Sequence, residues 1–294
     1  MPEPAAYRIA HLSDVHFGRI DSPTIVDALV DEVNDAKMDL VVVSGDLTQR
    51  ARAWQFVAAR AFLDRFSAPV LVVPGNHDVT AWWHNPIERV YRPVRKYQHY
   101  ITDDLAPTFE ATRPGLPPLA VLGLNSAHGK TVKGGLVQAQ HRARITSYFA
   151  GQPPDAFRVL VLHHHLTRLD ALGEHDVSEG GFEALYTAAE SGVDLILCGH
   201  IHKSTVASVK LDFTSEYGEP GWSQHLIIAS AGTATSNRSR ELEGKRTNYY
   251  NWIRIDATET HVLERRYDHA VGRFNAVRET SHTRDGSTST HQVL

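Results

Sequence analysis

A single cysteine, Cys198, stands among the 294 residues. No disulfide can close within the chain and no thiolate metal cluster can be built from it. Set in the apolar run VDLILCGH, it reads as a small core residue. Charge of one sign is also scarce: 30 Lys and Arg against 34 Asp and Glu leave a formal charge of −4 and a pI near 6.5. That gives no sign of the basic face expected of a nucleic-acid binder, so long nucleic acid is not an expected partner. No apolar run approaches the roughly 20 residues a bilayer crossing requires. The opening MPEPAAYRIAHLSD lacks the basic start and long apolar segment of a secretory signal. The expectation is a soluble, cytoplasmic protein without an integral membrane segment.

Histidine, by contrast, is plentiful, with 18 copies. Imidazole and carboxylate are then the available metal donors, a set that suits iron, manganese or zinc. Along the chain, short apolar runs (YRIAHL, LVVVSG, VLVVPG, LAVLGL, RVLVLH, DLILCG, HLIIASAG) alternate with helix-like segments. The spacing predicts helices over Ser22–Ala36, Ala51–Phe66, Ile87–Thr102, Val137–Phe149 and Phe182–Ser191. Such alternation predicts an α/β fold. After about residue 203 only strands follow (TVASVKLDF, QHLIIAS, NYYNWIRID, THVLERRYD), as antiparallel strands that complete a sheet would. One domain over residues 1–280 is expected, with the polar stretch 281–294 as a mobile tail.

The chemistry collects where the apolar runs end. Those ends carry Asp14 and His16, Asp46, Asn76 with His77 and Asp78, His163 to His165, and His200 with His202. In an open α/β sheet the loops at the carboxyl ends of strands gather along one edge, where ligands bind. Asp14-x-His16 and His200-x-His202 have the two-residue spacing that puts side chains on one side of an extended segment. Glycines at 45, 75 and 199 permit tight turns beside them. About seven oxygen and nitrogen donors exceed what one tetrahedral zinc takes up and suit two metals sharing a carboxylate.

The order D-x-H, GD, GNHD, H, GHxH, running from Ile9 through His202, resembles the calcineurin-like metallophosphoesterase superfamily. The resemblance implies a four-layer αββα sandwich of two mixed β-sheets flanked by helices. It implies two divalent ions, Mn or Fe foremost and Zn as an option. Asp14, His16 and His202 would hold one, Asn76, His163 and His200 the other, with Asp46 bridging. A hydroxide between the metals would attack phosphorus in line with the leaving oxygen. His77 would stabilise the transition state or protonate the leaving group, and Asp78 would orient His77. Of the three histidines, His163 is the expected ligand, His164 points away, and His165 belongs to the rim. Relatives of the cyclic-nucleotide phosphodiesterase type carry two prolines after a His pair where this chain has His165-Leu166, a departure beside the pocket.

LNSAHGKTVKGGLVQAQ is similar to a segment of class III cyclic-nucleotide phosphodiesterases, and AGTATSNRSR followed by NYYNWIRID resembles bacterial members of that group. Arg238 and Arg240 are therefore expected at the substrate, since guanidinium pairs bidentately with phosphate, and Thr235 and Asn237 accompany them. Trp82 and Trp83 would wall the pocket, form a subunit contact or fill the core. The function implied is a phosphodiesterase for cyclic nucleotides or similar small diesters, with a homodimer as a possible assembly. A pyrophosphatase for a nucleotide-linked lipid precursor and a metal-free binding scaffold stand as alternatives.

Overall fold

A computed structural model describes residues 5–213, 222–238, 248–283 and 286–293. The first half of the chain forms β1 (Tyr7–Leu12), α1 (Pro23–Asp35), β2 (Leu40–Ser44), α2 (Ala53–Leu63), β3 (Val70–Val73), α3 (Pro86–Tyr91), α4 (Arg95–Tyr100), β4 (Thr108–Ala111), β5 (Leu119–Gly123) and α5 (Ala139–Ala150). The second half adds β6 (Phe157–Val161), α6 (Gly181–Glu190), β7 (Leu195–Cys198), β8 (Thr205–Phe213), β9 (Trp222–Ser230), β10 (Tyr249–Ile255), β11 (Glu259–Asp268), β12 (Arg273–Thr283) and β13 (Thr288–Gln292).

The strands form two mixed sheets. One runs β13-β12-β11-β10-β1-β2-β3 and the other β4-β5-β6-β7-β9-β8. Parallel pairing joins β1 to β2 to β3 and β5 to β6 to β7 to β9. The late strands β10 to β13 extend the first sheet in antiparallel order. Alternation along each strand sorts its side chains into layers. Ile9, Leu40, Val42, Val159 and Val161 meet between the sheets. Leu12, Val41 and Val43 turn outward to α1 and α2, and Leu160, Leu162 and Ile196 turn outward to α5 and α6. Burial on both faces is why these strands read as unbroken apolar runs.

Helix α1 starts where its sequence directs: Ser22 Oγ accepts the Ile25 N–H at 3.3 Å and Pro23 occupies the first turn. Its buried residues, Ile25, Val26, Leu29, Val30 and Val33, form one stripe. The segment Ile87–Thr102 is two short helices rather than one. Pro93 has no N–H, and its ring pushes the preceding residue out of helical geometry; Arg92 sits at φ −144°, ψ 58°. The C-terminal stretch also differs from the expected tail: β12 runs to Thr283 and β13 returns along it, from His282↔Thr288 to Arg278↔Gln292. Polar Thr and Ser residues there pair through their backbones while every side chain of β13 stays exposed. Among the described residues no helix is long and apolar enough to cross a membrane.

Candidate metal centre

Among the described residues seven other than glycine hold a positive φ, and five of them are Asp14 (52°), His16 (53°), Asp46 (54°), His200 (71°) and His202 (58°). The two D-x-H and H-x-H pairs are therefore not extended, as their spacing suggests, but wound through left-handed residues. Such backbone costs on the order of 1–3 kcal/mol per residue and clusters at functional sites. The turns are tied together within each sheet: Asp14 N–H donates to Gly45 O (3.1 Å), His16 N–H to Asp46 O (2.9 Å) and Gly199 N–H to His163 O (3.0 Å). Gly45, at φ +94°, has no room for a side chain, since a Cβ there would fall 2.5 Å from His163 Nδ1.

These turns bring all seven expected donors together in two adjoining groups. In the first, His202 Nε2 lies 3.1 Å from Asp14 Oδ1, and His16 Nε2 lies 3.6 Å from both Asp14 Oδ1 and Asp46 Oδ2. In the second, Asn76 Oδ1 faces His163 Nε2 at 3.2 Å and His200 Nδ1 at 3.0 Å, and His163 Nε2 lies 3.4 Å from Asp46 Oδ1. Asp46 offers one oxygen to each group. Three features fit divalent ions. His16 Nε2 and His202 Nε2 face each other at 3.1 Å, Asp14 Oδ1 is buried and accepts no hydrogen bond among the described residues, and every donor is nitrogen or oxygen.

Outer contacts orient the rings. Nδ1 of His163 lies 2.7 Å from Ser44 O, that of His202 3.1 Å from Arg238 O, and that of His16 3.4 Å from Thr48 O, the arrangement that aims Nε2 inward. Burial by itself would raise the Asp14 carboxyl, but His202 and His16 hold it well below the usual carboxylate range. Burial disfavours charge on His163 too, yet Asp46 beside it lifts the imidazole to about 9. His200, buried and next to His163, falls to about 4.

Several expectations are corrected. His164 does not point away. The chain leaves β6 in a bend at His163 and His164, so strand alternation no longer applies, and the His164 ring centre lies 4.7 Å from that of His200. His165 is not at the rim; it is buried against Cys198 and Ser230. Asp78 does not touch the His77 ring. Its carboxylate accepts the N–H groups of Leu47 (3.1 Å), Thr48 (2.8 Å) and Gly75 (2.9 Å), lacing the Asp46 turn to the Asn76 turn. His77 is oriented instead by Gln49 O, 2.8 Å from Nδ1. Arg238 Nη1 donates to His77 Nε2 at 2.8 Å. Because guanidinium only donates, His77 is neutral with its proton on Nδ1, in keeping with burial that lowers it to about 4.

A cavity of about 390 Å³ opens over the cluster, lined by Asp46, Asn76, His77, His200, His202 and Arg238 and by Lys133, Glu174, His175, Asp176 and Ile201. Trp82 is not in that lining; it lies 38% exposed with the Arg89 guanidinium over its ring. Among the described residues Ile201 is the one aliphatic residue of the lining, and these residues form no apolar groove of the kind the lipid-precursor reading requires. Arg240 lies outside the described residues. Sequence reasoning passed over Lys133 and the 174–176 segment, which sit on loops without periodicity; the only signal was a lysine beside the glycine pair of KTVKGG.

The family model for calcineurin-like phosphoesterases matches residues 7–204. The chain is 24% identical over 171 residues to the 3',5'-cyclic adenosine monophosphate phosphodiesterase CpdA of Haemophilus influenzae, a match spanning 57% of this chain and 56% of that relative. It is 28% identical over 219 residues to the glycerophosphodiester phosphodiesterase GpdQ of Enterobacter lignolyticus, spanning 69% and 73%. Among solved structures, a dimetal phosphatase from Danio rerio superposes with a TM-score of 0.61 at 12% identity, over 96% of this chain and 100% of that one. At that identity the superposition speaks to the fold alone, and it agrees with the αββα sandwich.

Proposed function

The chain belongs to the calcineurin-like phosphoesterase family, and on that premise we propose that it is a metal-dependent phosphoester hydrolase acting on small phosphodiesters. The observation that carries this reading is Asp46, whose two oxygens face two separate donor groups at 3.6 and 3.4 Å. Asp14, His16 and His202 would hold one divalent ion, Asn76, His163 and His200 the other, and Asp46 both. When bound, a pair of such ions polarises phosphoryl oxygens and lowers the pKa of a water between them.

The chain's own groups supply the rest. Arg238, at the cavity wall, is placed to receive a phosphoryl oxygen through charge-assisted hydrogen bonds. On turning to the phosphate it releases His77 Nε2, which takes up a proton from the solvent of the cavity and gives it to the leaving alkoxide. Gln49 O holds the imidazole throughout. Asp78 positions the turn that carries His77. The native ions on this reading are manganese or iron, with zinc also compatible with the donors. Cyclic nucleotides and glycerophosphodiesters, named for the two relatives, both belong to the proposed substrate class.

Initial rates on bis-p-nitrophenyl phosphate and p-nitrophenyl phosphate, in saturating Mn²⁺, test the proposal. A marked preference for the diester is expected. Equal or greater turnover of the monoester would assign the enzyme to phosphomonoesters, and hydrolysis of neither would overturn the reading.

A further inference from the structure

His16, His163 and His202 share one arrangement, with Nδ1 set against a protein oxygen and Nε2 facing the centre. His164 repeats it. Its Nδ1 lies 2.9 Å from Ser126 Oγ, while Nε2 is buried and without a hydrogen-bond partner among the described residues. A buried imidazole nitrogen left unpartnered is unfavourable, so the ring is held there against its own solvation. His165 makes the contrast: its Nε2 lies 3.3 Å from Ser230 Oγ and its Nδ1 3.6 Å from Cys198 Sγ, contacts of an ordinary core histidine.

Position agrees with orientation. The His164 ring centre is 4.8 Å from that of His163 and 4.7 Å from that of His200. One nitrogen from each of the three rings can be chosen so that all lie within 4.8 Å of one another. Space for the ring is made by Gly135, where a Cβ would fall 2.6 Å from His164 Cβ and Cγ. Ser126 Oγ also accepts the His164 backbone N–H at 3.3 Å, which locks residue and side chain to the strand end before α5. A metal-holding imidazole hands its second N–H to a nearby oxygen in this way.

We propose that His164, through Nε2, joins Asn76, His163 and His200 in holding the second divalent ion, an inference that rests on the dimetal reading above. The family pattern given earlier takes one metal donor from this strand end, so the chain would carry one imidazole donor more than that pattern.

The test is calorimetric titration of the chelator-treated, full-length protein with Mn²⁺, with metal content measured after gel filtration. Wild type should take up two equivalents. His164→Gln should keep the first at unchanged affinity and bind the second about 10–100-fold more weakly, whereas His165→Gln should retain both. Two equivalents at unchanged affinity in folded His164→Gln would overturn the proposal while leaving the dimetal reading intact. Fewer than two in wild type would remove both together. Should His164→Gln fail to fold, Ser126→Ala with Co²⁺ decides: a changed visible spectrum for the second equivalent supports the assignment, and a spectrum and affinity identical to wild type reject it.

Discussion

Asn76 presents a single side-chain oxygen to two imidazoles, His163 and His200, at 3.2 and 3.0 Å. Alanine there leaves both rings without their common partner and the second ion without its amide donor. Asn76→Ala is expected to lose at least about 100-fold in diester turnover and to bind one equivalent of metal less firmly, checked by steady-state rates and metal analysis. Gly45 is sensitive for a different reason. Gly45→Ala combines a left-handed backbone with a Cβ 2.5 Å from His163 Nδ1, so a loss of about 1–3 kcal/mol in denaturant unfolding is expected, together with reduced metal affinity. At this scale the sequence disclosed which residues gather, because each donor directly follows an apolar run. It did not disclose orientation. The bend that turns His164 inward and the backbone oxygens that aim the rings belong to the meeting of β2, β6 and β7.

Helices and strands follow their local signals where burial reinforces them. The Ser22 cap and the apolar stripe of α1 mark that helix in the sequence. Ser22→Ala should cost about 1 kcal/mol in thermal or denaturant unfolding and leave turnover unchanged, since among the described residues the Ser22 hydroxyl bonds to Thr24 and the Ile25 N–H and to none of the donors. Signals fail where one residue overrides the pattern, as Pro93 does between α3 and α4, or where a strand is polar and exposed along its whole length, as in β13. A chain ending at Thr283 removes only exposed side chains with that strand. It is expected to keep its turnover and to lose no more than a few degrees in melting temperature; loss of activity would show that β13 supports the site through the first sheet.

For the molecule as a whole, two sheets place the carboxyl ends of their parallel strands along one edge, where His16 Nε2 and His202 Nε2 face each other and Asp14 Oδ1 accepts no hydrogen bond among the described residues, features that a cation would satisfy. Chelation should therefore abolish turnover and lower the melting temperature. Returning Mn²⁺ to about 100 times its Kd should restore about 2.7 kcal/mol per site. Buried histidines away from that cluster give a second global property. Burial depresses His282 to about 4 and His11, between the sheets, to about 3. As pH falls below about 6.5 the unfolded chain takes up protons that the native state refuses. Stability carried by these residues is thus complete above pH 6.5 and is lost as pH falls through 4 toward 3. Denaturant midpoints of wild type and His282→Gln should draw together across that window, and a constant difference would count against the assignment to His282.

The sequence by itself determined where the central strands lie, the resemblance to the family, and which seven candidate donors end those strands, because apolar runs and the residues that follow them are local facts of the chain. Only the tertiary structure decided the left-handed turns at Asp14, His16, Asp46, His200 and His202, the coupling of Arg238 to His77, the partner of Asp78, and the inward turn of His164. Each of these depends on a hydrogen bond or a close packing contact between segments 30 or more residues apart, and no periodicity within either segment records what the other will bring.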